Sequence, residues 1–253
     1  MAIEKYSKAE QGYGEFNGGA IVENKPIGFP QNGGGGSHPY SNLFYWAKAD
    51  TVNGSTIGEH PHQAFEILSF VLEGDIEHYD NHNNKWFPLS KGDVQVIKSG
   101  SGIYHAEKMN PGASIFQIWF NPDIQVTLKN KAEYADYKKS VFNVVENDSY
   151  YTKIMIGNNS PIELVSEGVE IQEITAKSDF ELKLNSDRYH SFYVLSGEAE
   201  LNGLKIVQDD FIKISDEGKA SFTNQSGLRL FYISNPKELT HRTYYESNKS
   251  RYQ

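Results

Sequence analysis

Cysteine is absent from this chain of 253 residues. Its absence excludes disulfide bonds, thiolate metal ligands and thiol nucleophiles, so any metal site must be built from nitrogen and oxygen ligands. Basic residues are also scarce, because 24 lysines and arginines stand against 33 aspartates and glutamates and leave a formal charge of −9. Nucleic-acid affinity depends largely on clustered lysine and arginine, so we expect no direct binding of nucleic acid.

Long apolar runs are missing as well. No stretch of the sequence approaches the ~20 residues that a membrane-spanning helix needs. The opening MAIEKYSKAEQGYG contains no apolar region of the kind that secretion signals carry. We therefore expect a cytoplasmic protein with no membrane partner.

Aromatic residues and short apolar stretches are what the chain does contain. Aromatic residues make up 13% of the sequence and hydrophobic residues 38%, and glycine, asparagine and aspartate interrupt the apolar stretches. This composition favours strands over helices, and the length allows one large domain or two small ones. Strand-like segments follow one another closely from Phe65 to Pro122, which is typical of a β-sandwich or barrel.

Two parts of the chain share one layout. The segments LSFVLEGDIEHYD (residues 68–80) and SFYVLSGEAELNG (residues 191–203) each contain an apolar strand, a glycine turn and an alternating strand. This similarity indicates a duplicated β-domain. Residues 121–150 lose the alternation and include one predicted short helix around Ala132 to Lys139, so we take them as the connection. The predicted domains are residues 1–140 and 141–253.

Two pairs of polar residues have the period-two spacing that places side chains on one face of a strand. In EHPHQAFEILSFVLEG, His60 and His62 flank a proline at the start of an apolar strand. In GSGIYHAEKM, His105 and Glu107 follow a glycine-rich turn. The alternative for the first pair is two surface histidines that share a loop by chance, and one motif alone does not separate these readings.

Together these motifs carry a family resemblance. HPHQAFEILSFVLEGDIEH, followed by KGDVQVIKSGSGIYHAEKM and FQIWFNP, resembles the pirin family, whose members are all-β bicupins with two antiparallel β-barrels in one chain. The resemblance implies that His60, His62, His105 and Glu107 bind one divalent transition metal in the first barrel. It implies Fe(II) as the usual ion, and Mn, Ni, Cu or Zn are alternative occupants because affinity follows availability as well as ligand type.

Glu66 distinguishes this reading from a generic cupin. The general cupin motif would place its glutamate ligand at position 67, which is isoleucine here, and Glu66 stands one residue early. A shift of one residue turns a strand side chain to the other face unless a bulge corrects it. We therefore expect Glu66 to have a structural or supporting role rather than to coordinate the metal.

Four other polar residues receive separate expectations. His78 and His82 lie at a hairpin and its approach, where we expect exposed polar side chains. Gln117 is expected to line the pocket, with the neighbouring Trp119 and Phe120 in the core or barrel wall. His190 is the one histidine in the second half at the position of the pair, so we expect that barrel to be metal-free and structural.

The resemblance implies two functions that need the same ligands. One is a flavonol dioxygenase, which would act on a small aromatic substrate such as quercetin with O₂ and would use Glu107 as the base for the substrate hydroxyl. The other is a non-enzymatic metal- or redox-sensing protein, or a transcriptional coregulator, with a protein partner. The size of the cavity above the metal would discriminate them, because an oxygenase needs room for its substrate.

Overall fold

Strands make up most of the computed structural model, which describes residues 3–29, 34–81 and 83–251. In chain order they are β1 (Ile3–Tyr6), β2 (Gly12–Phe16), β3 (Ile21–Ile27), β4 (Leu43–Asp50), β5 (Ser55–His62), β6 (Glu66–Glu73), β7 (Asp75–Asp80), β8 (Lys85–Ser90), β9 (Val94–Lys98), β10 (Ile103–Met109), β11 (Ser114–Phe120), β12 (Glu133–Tyr137), β13 (Val144–Glu146), β14 (Tyr150–Ile156), β15 (Glu170–Ala176), β16 (Phe180–Lys183), β17 (Arg188–Leu201), β18 (Leu204–Val207), β19 (Phe211–Ile214) and β20 (Lys219–Pro236).

Helical structure is limited to short segments in the described ranges. They are α1 (Ile124–Thr127), α2 (Tyr244–Asn248) and 3-10 turns at Lys8–Glu10, Lys139–Val141 and Lys249–Arg251. Among the described residues, none of these helices has the length and apolar character required to cross a bilayer.

The chain divides into two compact units. We call the unit of Gln11–Lys139 with residues 240–251 the N-terminal barrel, and that of residues 3–10 with Ser140–Leu239 the C-terminal barrel. The division falls before Ser140, and each chain end lies in the unit formed by the other half of the chain. β1 belongs to the C-terminal barrel because it pairs with β19. The tail belongs to the N-terminal barrel, where Tyr244 lies 6.0 Å from Phe44 between ring centroids.

The N-terminal barrel consists of two antiparallel sheets. One has the strand order β5-β10-β7-β8 and the other β12-β9-β6-β11-β4-β3-β2. Residues 66–71 of β6 are all buried, as expected for a central strand that is covered on both faces. Trp46 and Phe116 pack edge to face in the core, with ring centroids 5.4 Å apart. The seven-stranded sheet therefore supplies buried core side chains behind β5 and β10.

β12 replaces the short helix that was predicted around Ala132 to Lys139. Its residues Glu133–Tyr137 pair antiparallel with β9, with Tyr134 opposite Ile97. Alanine, glutamate and lysine favour helix locally, but this preference is weak and tertiary context overrides it. Here the edge of β9 offers a partner for a strand, and Tyr134 and Asp136 lie on the same face of the strand that pairs with it.

The C-terminal barrel is a nine-stranded sheet in which β17 and β20 pair over most of their length. Register shifts between Val194 and Glu200 mark bulges, which increase the local bend of β17. Its core includes Phe192, Phe222 and Leu230, all fully buried. Together with the N-terminal barrel it confirms the predicted all-β bicupin fold.

Candidate metal centre

Three of the four predicted ligands lie together at one end of the four-stranded sheet. His60 and His62 come from the end of β5, and β10 pairs with β5 so that His105 lies directly opposite His60. One nitrogen from each imidazole can be chosen so that all three lie within 4.8 Å of one another. The period-two spacing and the antiparallel register thus bring the side chains of His60, His62 and His105 to one point.

The nitrogen atoms of this cluster have the chemistry that a transition metal requires. The Nε2 atoms of His62 and His105 are buried and have no hydrogen-bond partner among the described residues. His60 uses Nδ1 to contact the Gly58 carbonyl at 2.8 Å. Buried polar atoms are normally satisfied, so unpartnered nitrogens aimed into one cluster call for a ligand. The three imidazoles fit a divalent transition ion, for which neutral nitrogen is a common donor.

Burial keeps the imidazoles of His62 and His105 neutral. It lowers the pKa of His62 to about 3, with a further lowering from His60. Burial likewise lowers the pKa of His105 well below its usual value, and the neighbouring histidines add to the effect. Because only a neutral imidazole has a free lone pair, these two histidines are ready to bind a metal across the neutral pH range.

Glu107 lies two residues after His105, fully buried, with a bulge between them in the pairing with β5. Gln117 Nε2 donates to its Oε1 at 2.9 Å and to its Oε2 at 2.8 Å, and Ser69 Oγ donates to Oε1 at 3.0 Å. Burial raises the pKa of Glu107, against the opposing effects of His60 and these two donors. The carboxyl group is not part of the three-histidine cluster within the described residues, and its ligation stays a prediction.

Gln117 has a more specific place than the pocket lining that was expected. Besides both contacts to Glu107, its Oε1 accepts a hydrogen bond from Trp119 Nε1 at 3.2 Å. The Trp119 ring lies 4.6 Å from the His62 ring, nearly perpendicular to it. Trp119 therefore packs beside the cluster while Gln117 holds the carboxylate, and Phe120 is fully buried in the core.

His78 is not the exposed polar residue that was predicted. Its side chain is fully buried, and its Nε2 lies 2.8 Å from His105 Nδ1. Burial lowers its pKa to about 3, although the charge of Asp80 acts in the opposite direction. The sequence contained one signal, because His78 stands two residues after the apolar Ile76 and therefore shares its strand face, which the structure shows to be buried. His82 lies outside the described residues.

Glu66 and His190 occupy other places. Glu66 is fully buried in β6 and is not part of the three-histidine cluster in the described part of the chain. His190, in the C-terminal barrel, contacts Tyr232 Oη through Nδ1 at 2.7 Å and the Asn185 carbonyl through Nε2 at 2.9 Å. Both of its ring nitrogens are thus engaged within the protein.

A cavity of about 240 Å³ adjoins His62. It is bounded by the end of β5 and by the turn that leads into β10, namely Pro61, His62, Gln63, Gly102, Ile103 and Tyr104. His62 is the member of the three-histidine cluster that lines it.

Comparisons with known proteins agree with this geometry. The Pirin family model matches residues 36–120, which include all four predicted ligands. A pirin-like protein of Caulobacter vibrioides is 27% identical over 197 residues, or 76% of this chain and 82% of that protein. The quercetin 2,3-dioxygenase of Escherichia coli K12 is 26% identical over 191 residues, or 72% and 78%. The crystal structure of the E. coli pirin YhhW in complex with nickel(II) has a TM-score of 0.75 at 21% identity, and the match covers 93% of this chain and 100% of that chain.

Proposed function

This chain belongs to the pirin family, and on that premise we propose that it binds one divalent transition metal and uses it to cleave a flavonol such as quercetin with O₂. The proposed ligands are His60, His62, His105 and Glu107, and Fe(II) is the expected ion, with Mn, Ni, Cu or Zn as alternatives. The observation that carries the proposal is the three-histidine cluster with its two buried, unpartnered Nε2 atoms.

The charges of the ligands suit this chemistry. Three neutral imidazoles and one carboxylate reduce a divalent ion to a net charge near +1. When bound, the ion supplies Lewis acidity and open positions for oxygen ligands. A neighbouring cation also favours the ionised form of Glu107, which burial alone disfavours.

We assign the role of proton acceptor to Glu107. A general base must lie within hydrogen-bond reach of the proton it removes, and Glu107 follows His105 by two residues on β10, which supports this assignment. Its Oε1 accepts two hydrogen bonds and its Oε2 accepts one, so Oε2 has the larger remaining capacity. Ser69 and Gln117 fix the carboxyl group and thereby hold Oε2 in one orientation.

The alternative function is that of a metal- or redox-sensing protein that binds a partner, or of a transcriptional coregulator. Such a protein needs no room for a flavonol beside the metal. Both functions require the same metal site, so activity separates them.

The first experiment measures metal and turnover together. The protein is stripped with a chelator, loaded with Fe(II), Mn, Ni, Cu or Zn, and incubated with quercetin with and without O₂, while flavonol absorbance and CO are followed. We expect one equivalent of metal and an O₂-dependent loss of quercetin with release of CO. Metal binding without turnover for every ion would favour the sensing protein.

Two variants and one control test the ligands. His105→Ala should lose the metal and the activity, whereas one bound equivalent in this variant would contradict the proposed site. Glu107→Gln should lower turnover by about 10²- to 10⁴-fold where metal remains bound, because a positioned base contributes that much. His190→Ala is the matched control, since it removes a buried histidine from the C-terminal barrel and should leave the metal content unchanged.

A further inference from the structure

We propose that His78 is a positioning residue that holds His105 in the tautomer with its proton on Nδ1, so that the Nε2 lone pair faces His60 and His62. The inference rests on the proposed metal site and adds to it a residue that is not a ligand. Its basis is the contact of 2.8 Å between His78 Nε2 and His105 Nδ1, both deep in the N-terminal barrel.

The two imidazoles share one proton in this contact, and it can lie on either nitrogen. If His78 were the donor, His105 would accept at Nδ1 and carry its own proton on Nε2. That N–H would be buried, without a partner, and directed into a cluster where it blocks a metal. If His105 is the donor, its buried Nε2 keeps a free lone pair that a metal can use.

The charge of Asp80 distinguishes the two arrangements. Each of them leaves one buried N–H without a hydrogen-bond partner among the described residues, at His105 Nε2 in the first and at His78 Nδ1 in the second. Asp80 follows two residues later on the same face of β7, and its negative charge acts on the His78 ring. Because His78 Nε2 already faces His105, Nδ1 is the remaining ring nitrogen at which this negative charge favours a proton.

Packing prevents His78 from turning away. Its ring stacks on Tyr134 with centroids 5.1 Å apart and planes 15° from parallel. The Tyr134 hydroxyl donates to Asp136 Oδ1 at 2.6 Å, which fixes the tyrosine in turn. Both residues belong to β12, so this strand closes the barrel behind His78 and holds its Nε2 against His105.

Nitrogen NMR of the metal-free protein tests the tautomer directly. In protein labelled with ¹⁵N-histidine, two-bond correlations between ring nitrogens and ring protons show which nitrogen of His105 carries the proton. We expect Nδ1–H in the wild type and a shift towards Nε2–H in His78→Leu. A wild-type His105 protonated on Nε2, or a tautomer unchanged in His78→Leu, would overturn the proposal.

A matched pair of variants tests the effect on metal affinity. In His78→Gln the amide oxygen can occupy the place of Nε2 and accept from His105, whereas in His78→Asn the amide reaches only the place of Nδ1. Partners of this kind are typically worth about 10- to 100-fold in metal affinity. We therefore expect Zn²⁺ affinity, measured by competition with a chelator, to fall by that factor in His78→Asn and to be largely retained in His78→Gln.

The outcomes are separable from those of the proposed function. Equal losses in the two variants would overturn the role of His78, provided that tryptophan fluorescence shows both to be folded. If the wild-type protein bound no Zn²⁺ through these histidines, the proposed function would fail, and the NMR measurement would still decide the tautomer because it uses no metal.

Discussion

Lowering the pH from 7 to 5 is expected to destabilise the metal-free N-terminal barrel through His62 and His78. Burial lowers the pKa of each to about 3, from an ordinary value near 6.5. Below about pH 6.5 the unfolded chain binds protons that the folded barrel does not, so the free energy of unfolding falls with pH until about pH 3. His105 acts in the same direction because its pKa is also lowered.

The magnitude follows from the two pKa values. Each unit of pH within this window changes stability by about 1.4 kcal/mol for one such group. Integrated from pH 7 to pH 5, each histidine accounts for about 2 kcal/mol and the two together for about 4 kcal/mol. Since whole domains are stable by roughly 5–15 kcal/mol, a loss of this size is easily measured.

Glu107 opposes this trend, so the comparison needs a variant. Its raised pKa contributes stability that is present at low pH and is lost as pH rises through the folded pKa. His78→Gln removes one titrating histidine and leaves Glu107 in place. The difference in unfolding free energy between variant and wild type should therefore move by about 2 kcal/mol in favour of the variant between pH 7 and pH 5.

Tryptophan fluorescence during urea titration is a suitable assay. The chain has 3 tryptophans, at positions 46, 86 and 119, and the N-terminal barrel contains all of them. Unfolding of the C-terminal barrel adds no tryptophan signal of its own. A difference between His78→Gln and wild type that stays constant within about 0.5 kcal/mol from pH 7 to pH 5 would refute the neutral, buried state of His78.

Two further predictions concern other residues. In calorimetry, the C-terminal barrel of Gly197→Ala should unfold at a lower temperature than that of Gly203→Ala. An added Cβ at Gly197 would lie 2.3 Å from the Ser226 carbonyl oxygen, whereas a Cβ at Gly203 meets open space. Both glycines have positive φ, so equal unfolding midpoints for the two variants would contradict this reasoning. Gln117→Leu should lower the free energy of unfolding by about 1–3 kcal/mol in urea titration, because it removes a hydrogen-bond donor from the buried Glu107 carboxyl group. An unchanged unfolding midpoint would show that the carboxyl group does not depend on Gln117.

The histidine cluster was predictable because it depends on local geometry. His60 and His62 share a face through strand alternation alone, and His105 follows a glycine turn that opens the strand β10. The antiparallel register that joins these strands then completes the cluster. The sequence could not reveal the register between β7 and β10, which brings His78 against His105, because β7 reads equally well as an exposed hairpin strand.

The strand β12 was not predicted for a related reason, and β1 resembles it. β1 and β12 are edge strands whose partners, β19 and β9, are distant in sequence or lack a tight turn towards them. Their own residues show only weak local preference, so the available sheet edge decides their structure. For Tyr134 this has a functional consequence, because only a strand at this edge places its ring on His78.

Polar residues within two apolar strands indicate which side chains surround the carboxyl group of Glu107. Ser69 is the one hydroxyl residue in β6, EILSFVLE, and Gln117 interrupts the apolar run of β11. They lie directly opposite each other in the seven-stranded sheet, so their side chains share a face. Polar groups on an inward face require a buried partner, and Glu107 on the facing four-stranded sheet meets both. These two strands therefore encode a fixed carboxylate beside the histidines, whether its proposed task is to bind the metal, to accept a proton, or both.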